Sequence, residues 1–80
     1  MNAEDIQALI ATGLECEHIE VEGDGRHWFA VIVSSAFEGQ NRVQRQRMVN
    51  ATVHAKMVTD ELHALSMKTL TPAEWAELQA

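Results

Sequence analysis

The sequence predicts a small α+β domain: a three-stranded mixed sheet with helices packed on one face, in the order α-β-β-α-β-α. Three observations lead there. Two apolar or alternating segments flank a Gly-Asp-Gly turn, as in Glu22 to Ser35, EGDGRHWFAVIVSS. A third alternating segment, Ala64 to Leu70, follows only after a long stretch with helical spacing, and both ends of the chain carry helix-capping signals. At 80 residues the chain makes one domain, 1–80, and a domain of this size buries only about 60 to 65% of the surface its unfolded form exposes. One thin core follows.

Asn2 with Asp5 three residues on reads as an N-cap and its returning acid. Ile6, Leu9, Ile10 and Leu14 then recur at helical spacing, with Gly13 closing the segment. His18 to Glu22 alternates polar and apolar, which places Ile19 and Val21 inward on a half-buried strand. Gly23-Asp24-Gly25 is a turn, since glycine reaches positive φ without steric cost and aspartate bonds to its own backbone. The strand from His27 to Ser34 is apolar on both faces and therefore central. Phe37 to Asn41 connects, with one short helical turn, and Asn41 caps a helix from Arg42 to about Thr59. Its apolar positions are Val43, Val49 or Asn50, Val53 and Met57, with the basic residues turned outward. Thr71-Pro72-Ala73-Glu74 combines a cap, a first-turn proline and a third-position acid, so a last helix begins there with Trp75 on its inner side. The hairpin makes the first two strands antiparallel. The helical crossover makes the second and third parallel.

Composition bounds the function. The longest apolar run, Trp28 to Val33, is too short to cross a bilayer, and the first residues carry no export signal, which points to the cytoplasm. A single cysteine, Cys16, forms no internal disulfide and cannot hold a cluster alone. The formal net charge of −6 opposes contact with nucleic acid and anionic membrane. Yet every Asp and Glu lies at or before Glu38 or at or after Asp60, leaving Arg42, Arg45, Arg47 and Lys56 as a basic island suited either to a solvated helix face or to a partner. No nucleophile elbow, zinc-protease motif, phosphate loop or dinucleotide fingerprint is present, so catalysis is not expected.

Two histidines stand out. His27 begins the second strand and His63 the third, and parallel neighbouring strands begin at one end of a sheet, about 5 Å apart plus any stagger. Imidazole is a ligand for iron, zinc or copper, and two of them leave a four-coordinate metal half satisfied. The plain alternative for each is a strand-start residue bonded to a turn carbonyl. His18 reads as an exposed strand residue, His54 as a helix-surface residue and Cys16 as a small half-buried filler.

Val21 to Trp28 (VEGDGRHW), Val33 to Gly39 (VSSAFEG), Val43 to Val49 (VQRQRMV) and His63 to Trp75 (HALSMKTLTPAEW) together resemble the BolA family over almost the whole chain, and within it the IbaG-like bacterial branch. The resemblance implies a class II KH-like fold. It also implies a partner, a monothiol glutaredoxin, with which such proteins hold a bridging [2Fe-2S] cluster. There a glutaredoxin cysteine and a glutathione thiolate supply two ligands, and the BolA-like side supplies the histidine matching His63 and a residue from the region of His27. Arg42, Arg45, Arg47 and Lys68 are the expected partner-binding residues. Gln46 and Asn50 stand where many members have histidine and tyrosine, which argues against a third histidine ligand from this helix.

The reading that follows is a non-enzymatic adaptor in cluster trafficking and iron homeostasis, a monomer or weak homodimer when alone. A DNA-binding regulator of stress response and a domain that merely binds protein partners are the alternatives. Against DNA stand the net charge and the lack of a basic Gly-x-x-Gly loop. A labelled duplex titrated at two salt concentrations is expected to show no binding near physiological salt; retained binding there would restore the DNA reading.

Overall fold

The computed structural model describes residues 2–58 and 64–80, side chains excepted at 56–58 and 64. Helix α1 spans Ala3–Gly13, strands β1 and β2 span His18–Gly23 and His27–Val33, and one 3-10 turn covers Ser35–Phe37. Helix α2 follows at Arg42–Val58, strand β3 at Ala64–Leu70 and helix α3 at Pro72–Gln79. The strand order is β1-β2-β3, with β1 antiparallel and β3 parallel to the central β2. Class, order and sheet are those the sequence predicts; the expectation that the helices share one face holds for α1 and α2, while α3 lies on the other, where its Trp75 meets His18.

All three helices start on side-chain caps. Asn2 accepts from the Asp5 N–H at 2.9 Å while the Asp5 carboxylate accepts from the Asn2 N–H at 3.1 Å. Asn41 and Gln44 exchange the same pair of bonds at 2.9 and 2.8 Å, and Thr71 and Glu74 do so at the start of α3. Each pair satisfies N–H groups that a helix end leaves without intrahelical partners.

The core is one cluster. Ile6 and Ile10 of α1, Trp28, Ala30 and Ile32 of β2, Phe37 of the 3-10 turn, and Val49 and Val53 of α2 are all buried together. Ile19, Val21, Leu65 and Met67 pack against it from β1 and β3, which fixes the face that α1 and α2 cover. Val33 and Leu70 are buried apart from this cluster, on the opposite face by strand alternation. There α3 lies over the far end of the sheet, its Trp75 ring stacked on His18 with centroids 4.8 Å apart.

Several local expectations change. Val43 is 54% exposed. The inward stripe of α2 runs through Arg45, Val49, Thr52 and Val53, and residue 43 sits about 200° around the helix from residue 45. Strand β2 ends at Val33 because Ser34 turns away to cap the 3-10 turn: its buried hydroxyl donates to the Glu15 carbonyl at 2.5 Å and accepts from the Ala36 N–H. In the hairpin only Gly25 needs positive φ, at 98°. Gly23 is instead the last residue of β1, paired with Trp28, and a Cβ there would meet the His27 carbonyl and the Trp28 ring.

Gly13 also acts through contact rather than conformation. Its φ is not positive; Leu14 caps α1 with its N–H bonded to the Ile10 carbonyl, and a Cβ on Gly13 would stand 2.7 Å from Cγ2 of Thr52 on α2. Gly13→Ala is therefore expected to lower stability by about 1–2 kcal/mol despite alanine's better helix propensity, because the helices must part. Denaturant unfolding should show Thr52→Ser, which removes Cγ2, recovering most of that loss in the double variant; simple addition of the two effects would refute the contact.

Candidate metal-binding rim

The parallel register sets His27 opposite Ala64 and continues through Val33 opposite Leu70. The two strands therefore begin at one rim of the sheet. His63, the residue before Ala64 in the chain, lies outside the described residues. His27 is exposed, and among the described residues its ring has no hydrogen-bond partner.

The backbone of His27, not its ring, completes the hairpin. The Asp24 carboxylate accepts from the N–H groups of Arg26 and His27, both at 2.9 Å, and the Asp24 N–H donates to the His27 carbonyl at 3.3 Å. These bonds, that of His27 first, hold the Asp24 carboxyl below its usual range. The ring is left beside a shallow hollow lined by Glu22, Asp24, Phe29 and Ser66.

Other donors lie elsewhere. His18 pairs with Val33, six residues along β2 from His27, which separates them by about 20 Å. Its ring is committed to Trp75, with Nε2 3.0 Å from the Glu20 carboxylate, and is less exposed than its strand position suggested. Cys16 precedes β1 at that same far end, its thiol donating to the Leu14 carbonyl at 3.3 Å, and burial pushes its pKa up. His54 is exposed on α2. Among the described residues no three His, Cys, Asp or Glu side chains gather into a metal cage. The donor that the described residues place at the rim is thus one exposed imidazole, that of His27.

The expectation that the basic residues of α2 all turn outward fails at Arg45. Its Nε donates to the Gln40 carbonyl at 2.9 Å, and Nη1 reaches the Thr69 carbonyl at 3.2 Å and Glu74 Oε1 at 2.8 Å. The guanidinium also lies over the Phe37 ring, 5.8 Å from its centroid. Arg45 ties α2 to the end of β3 and the start of α3, so it is no free docking cation. Arg42, Arg47 and Lys68 are exposed, with no ion pair among the described residues.

Two features escaped sequence reasoning. Phe29 is 41% exposed on the same face as His27, and the spacing of two along a strand was the signal that could have linked them. The stack of His18 on Trp75 joins residues too distant in sequence for any local pattern to reveal.

A domain of this topology, with an imidazole at the shared rim of parallel strands and a Thr-Pro-capped last helix, is of the BolA-like kind. The model of that family, described as BolA-like protein, matches residues 5–74, and the chain belongs to it. It is 34% identical to the Acid stress protein IbaG of Escherichia coli K12, over 95% of this chain and 90% of that protein. Human BolA-like protein 2 is 36% identical over 95% and 92%. Among solved structures, a BolA homologue from Coxiella burnetii superposes with a TM-score of 0.82 at 39% identity, covering 95% of this chain and 97% of that one. The BolA domain of SufE1 from Arabidopsis thaliana does so with 0.79 at 30%, covering 90% and 93%. No helix among the described residues is long and apolar enough to cross a membrane.

The bond from the Thr71 N–H and then the Arg45 guanidinium hold the Glu74 carboxyl below its ordinary value of 4.5. A lowered folded-state pKa gives stability that is present above the unfolded value and lost as pH falls through the folded one. The thermal midpoint of wild type should therefore exceed that of Glu74→Gln by a constant margin from pH 7 to about 5, narrowing as pH falls below about 4.5. A margin unchanged down to pH 3 would contradict the charged contact.

Proposed function

We propose that this chain is an adaptor that joins a monothiol glutaredoxin in holding a bridging [2Fe-2S] cluster, and so acts in iron-sulfur cluster assembly and trafficking and in iron homeostasis. The observation that supports it most is the exposed His27 imidazole, without a hydrogen-bond partner among the described residues, at the rim where β2 and β3 begin in parallel register. Membership of the BolA-like family agrees with an iron-sulfur role, and one solved relative is a domain of SufE1.

On this reading His27 and His63 each offer one neutral imidazole nitrogen, and two thiolates from the partner side complete the set. When bound, the cluster supplies one-electron redox chemistry, at a potential raised by replacing thiolates with imidazoles. The chain's own part is to hold the His27 end of the rim in place. Asp24 locks the turn ahead of His27, and the ladder fixes Ala64 across from it. Because imidazole ligates only when deprotonated, binding weakens as the medium becomes acidic. Arg42, Arg47 and Lys68 are exposed cations open to acidic groups of a partner.

Anaerobic reconstitution with a monothiol glutaredoxin, iron, sulfide and glutathione, followed by visible absorption and circular dichroism, tests this. His63→Ala is expected to abolish the spectrum specific to the mixed complex, and His27→Ala to alter or weaken it. A spectrum untouched by either change removes both residues from the ligand set.

A further inference from the structure

The face of the sheet turned away from α1 and α2 is bare along its middle. Strand alternation puts His27, Phe29 and Val31 on this face, because Trp28, Ala30 and Ile32 fill the core. Helix α3 covers only the far end, at His18. Phe29 is 41% exposed and borders three hollows: one shared with His27, one with Glu20, Glu22 and Val31, and one with Arg42 and Lys68. An aromatic ring in that position is costly to leave in water, and such rings anchor interfaces.

We propose that this stripe is the seat of the thiolate-bearing partner of the preceding section, with Phe29 as apolar anchor and Glu20 and Glu22 as charged rim. The inference rests on that reading of the chain. Two arguments name the occupant. Phe29 lies two residues from His27, about 7 Å along the strand, whereas a specific interface covers on the order of 800 Å² on each partner. A folded domain that brings thiolates to His27 therefore overlies Phe29.

The second argument is charge. A cysteine that serves as a thiolate at neutral pH sits in electropositive surroundings, made by lysine, arginine or a helix N-terminus. The β1 side of the stripe is the complement of such a surface. Register sets Glu22 across from Phe29 and Glu20 across from Val31, and Asp24 stands in the turn before His27. The cations close by are Arg26 in the turn, Lys68 across from Val31 on the β3 side, and Arg42, which lines one hollow with Lys68. The partner is thus oriented, its cationic thiol face toward β1 and any acidic part toward Lys68.

Calorimetric titration of the metal-free chain with a metal-free monothiol glutaredoxin and glutathione, at low and physiological salt, tests the surface apart from the ligands. Phe29→Asp should weaken association about tenfold or more. The pair Glu20→Lys and Glu22→Lys should weaken it about three- to tenfold at low salt, the loss shrinking as salt rises. Glu4→Lys, a single charge reversal on α1 across the sheet, should stay within about twofold. Far-ultraviolet circular dichroism checks folding, and Phe29→Ala gives a milder variant should the aspartate disturb the strand.

If wild type associates and the Phe29 variants and the charge reversal bind equally well, the surface is overturned while the glutaredoxin reading stands. Association that requires the cluster also overturns it, since the stripe then adds no docking of its own. No association with or without cluster sinks both. A chain that dimerises alone through Phe29, with affinity for glutaredoxin unchanged, assigns the stripe to a second copy and overturns the inference.

Discussion

The parallel ladder between β2 and β3 is the constraint on which the architecture and its candidate chemistry both depend. A parallel connection needs a long crossover, and α2 supplies it while covering the core. The same ladder fixes which residues begin the strands together. A slip of one position would move every side chain of β3 to the other face, bringing Ser66 and Lys68 into the core in place of Leu65 and Met67. The core pattern thereby protects the rim: the apolar residues that stabilise the domain also hold Ala64 across from His27.

The opposite end of the sheet is secured differently. There the Arg45 guanidinium gathers the connector before α2, the Thr69 carbonyl near the end of β3 and the first turn of α3 around one charge, with the Phe37 ring beneath it. A planar group with five donors in a fixed fork suits such convergence, and a lysine would not reproduce it. The two ends of the sheet thus differ in kind. One is closed by a committed cation and the stack of Trp75 on His18, and the other leaves an imidazole unspent.

What the sequence disclosed divides along the same line. Caps, turn and strand alternation are local, so α3, the hairpin and the positions of His27 and β3 were readable before any coordinates. Arg45 was not, because Gln40, Thr69 and Glu74 are brought to it only by the fold; in the sequence it looks like its neighbours Arg42 and Arg47. Gly13 resembled a helix terminator, and only the approach of Thr52 from another helix reveals its purpose. Val43 shared an apolar identity with Val49 but not its helical phase. Of the two histidines paired by spacing, the structure describes His27 and its register partner, while His63 lies outside the described residues.

A three-stranded sheet with β2 at its centre has two unpaired margins, and β1 is one of them. Strands with free margins invite pairing with further copies, the first step toward aggregates. Glu17, Glu20 and Glu22 lie on or beside this margin, and a second β1 laid against it would set carboxylate near carboxylate. Addition of a second copy along β1 is therefore opposed by like charge, which works against edge-to-edge stacking at this margin.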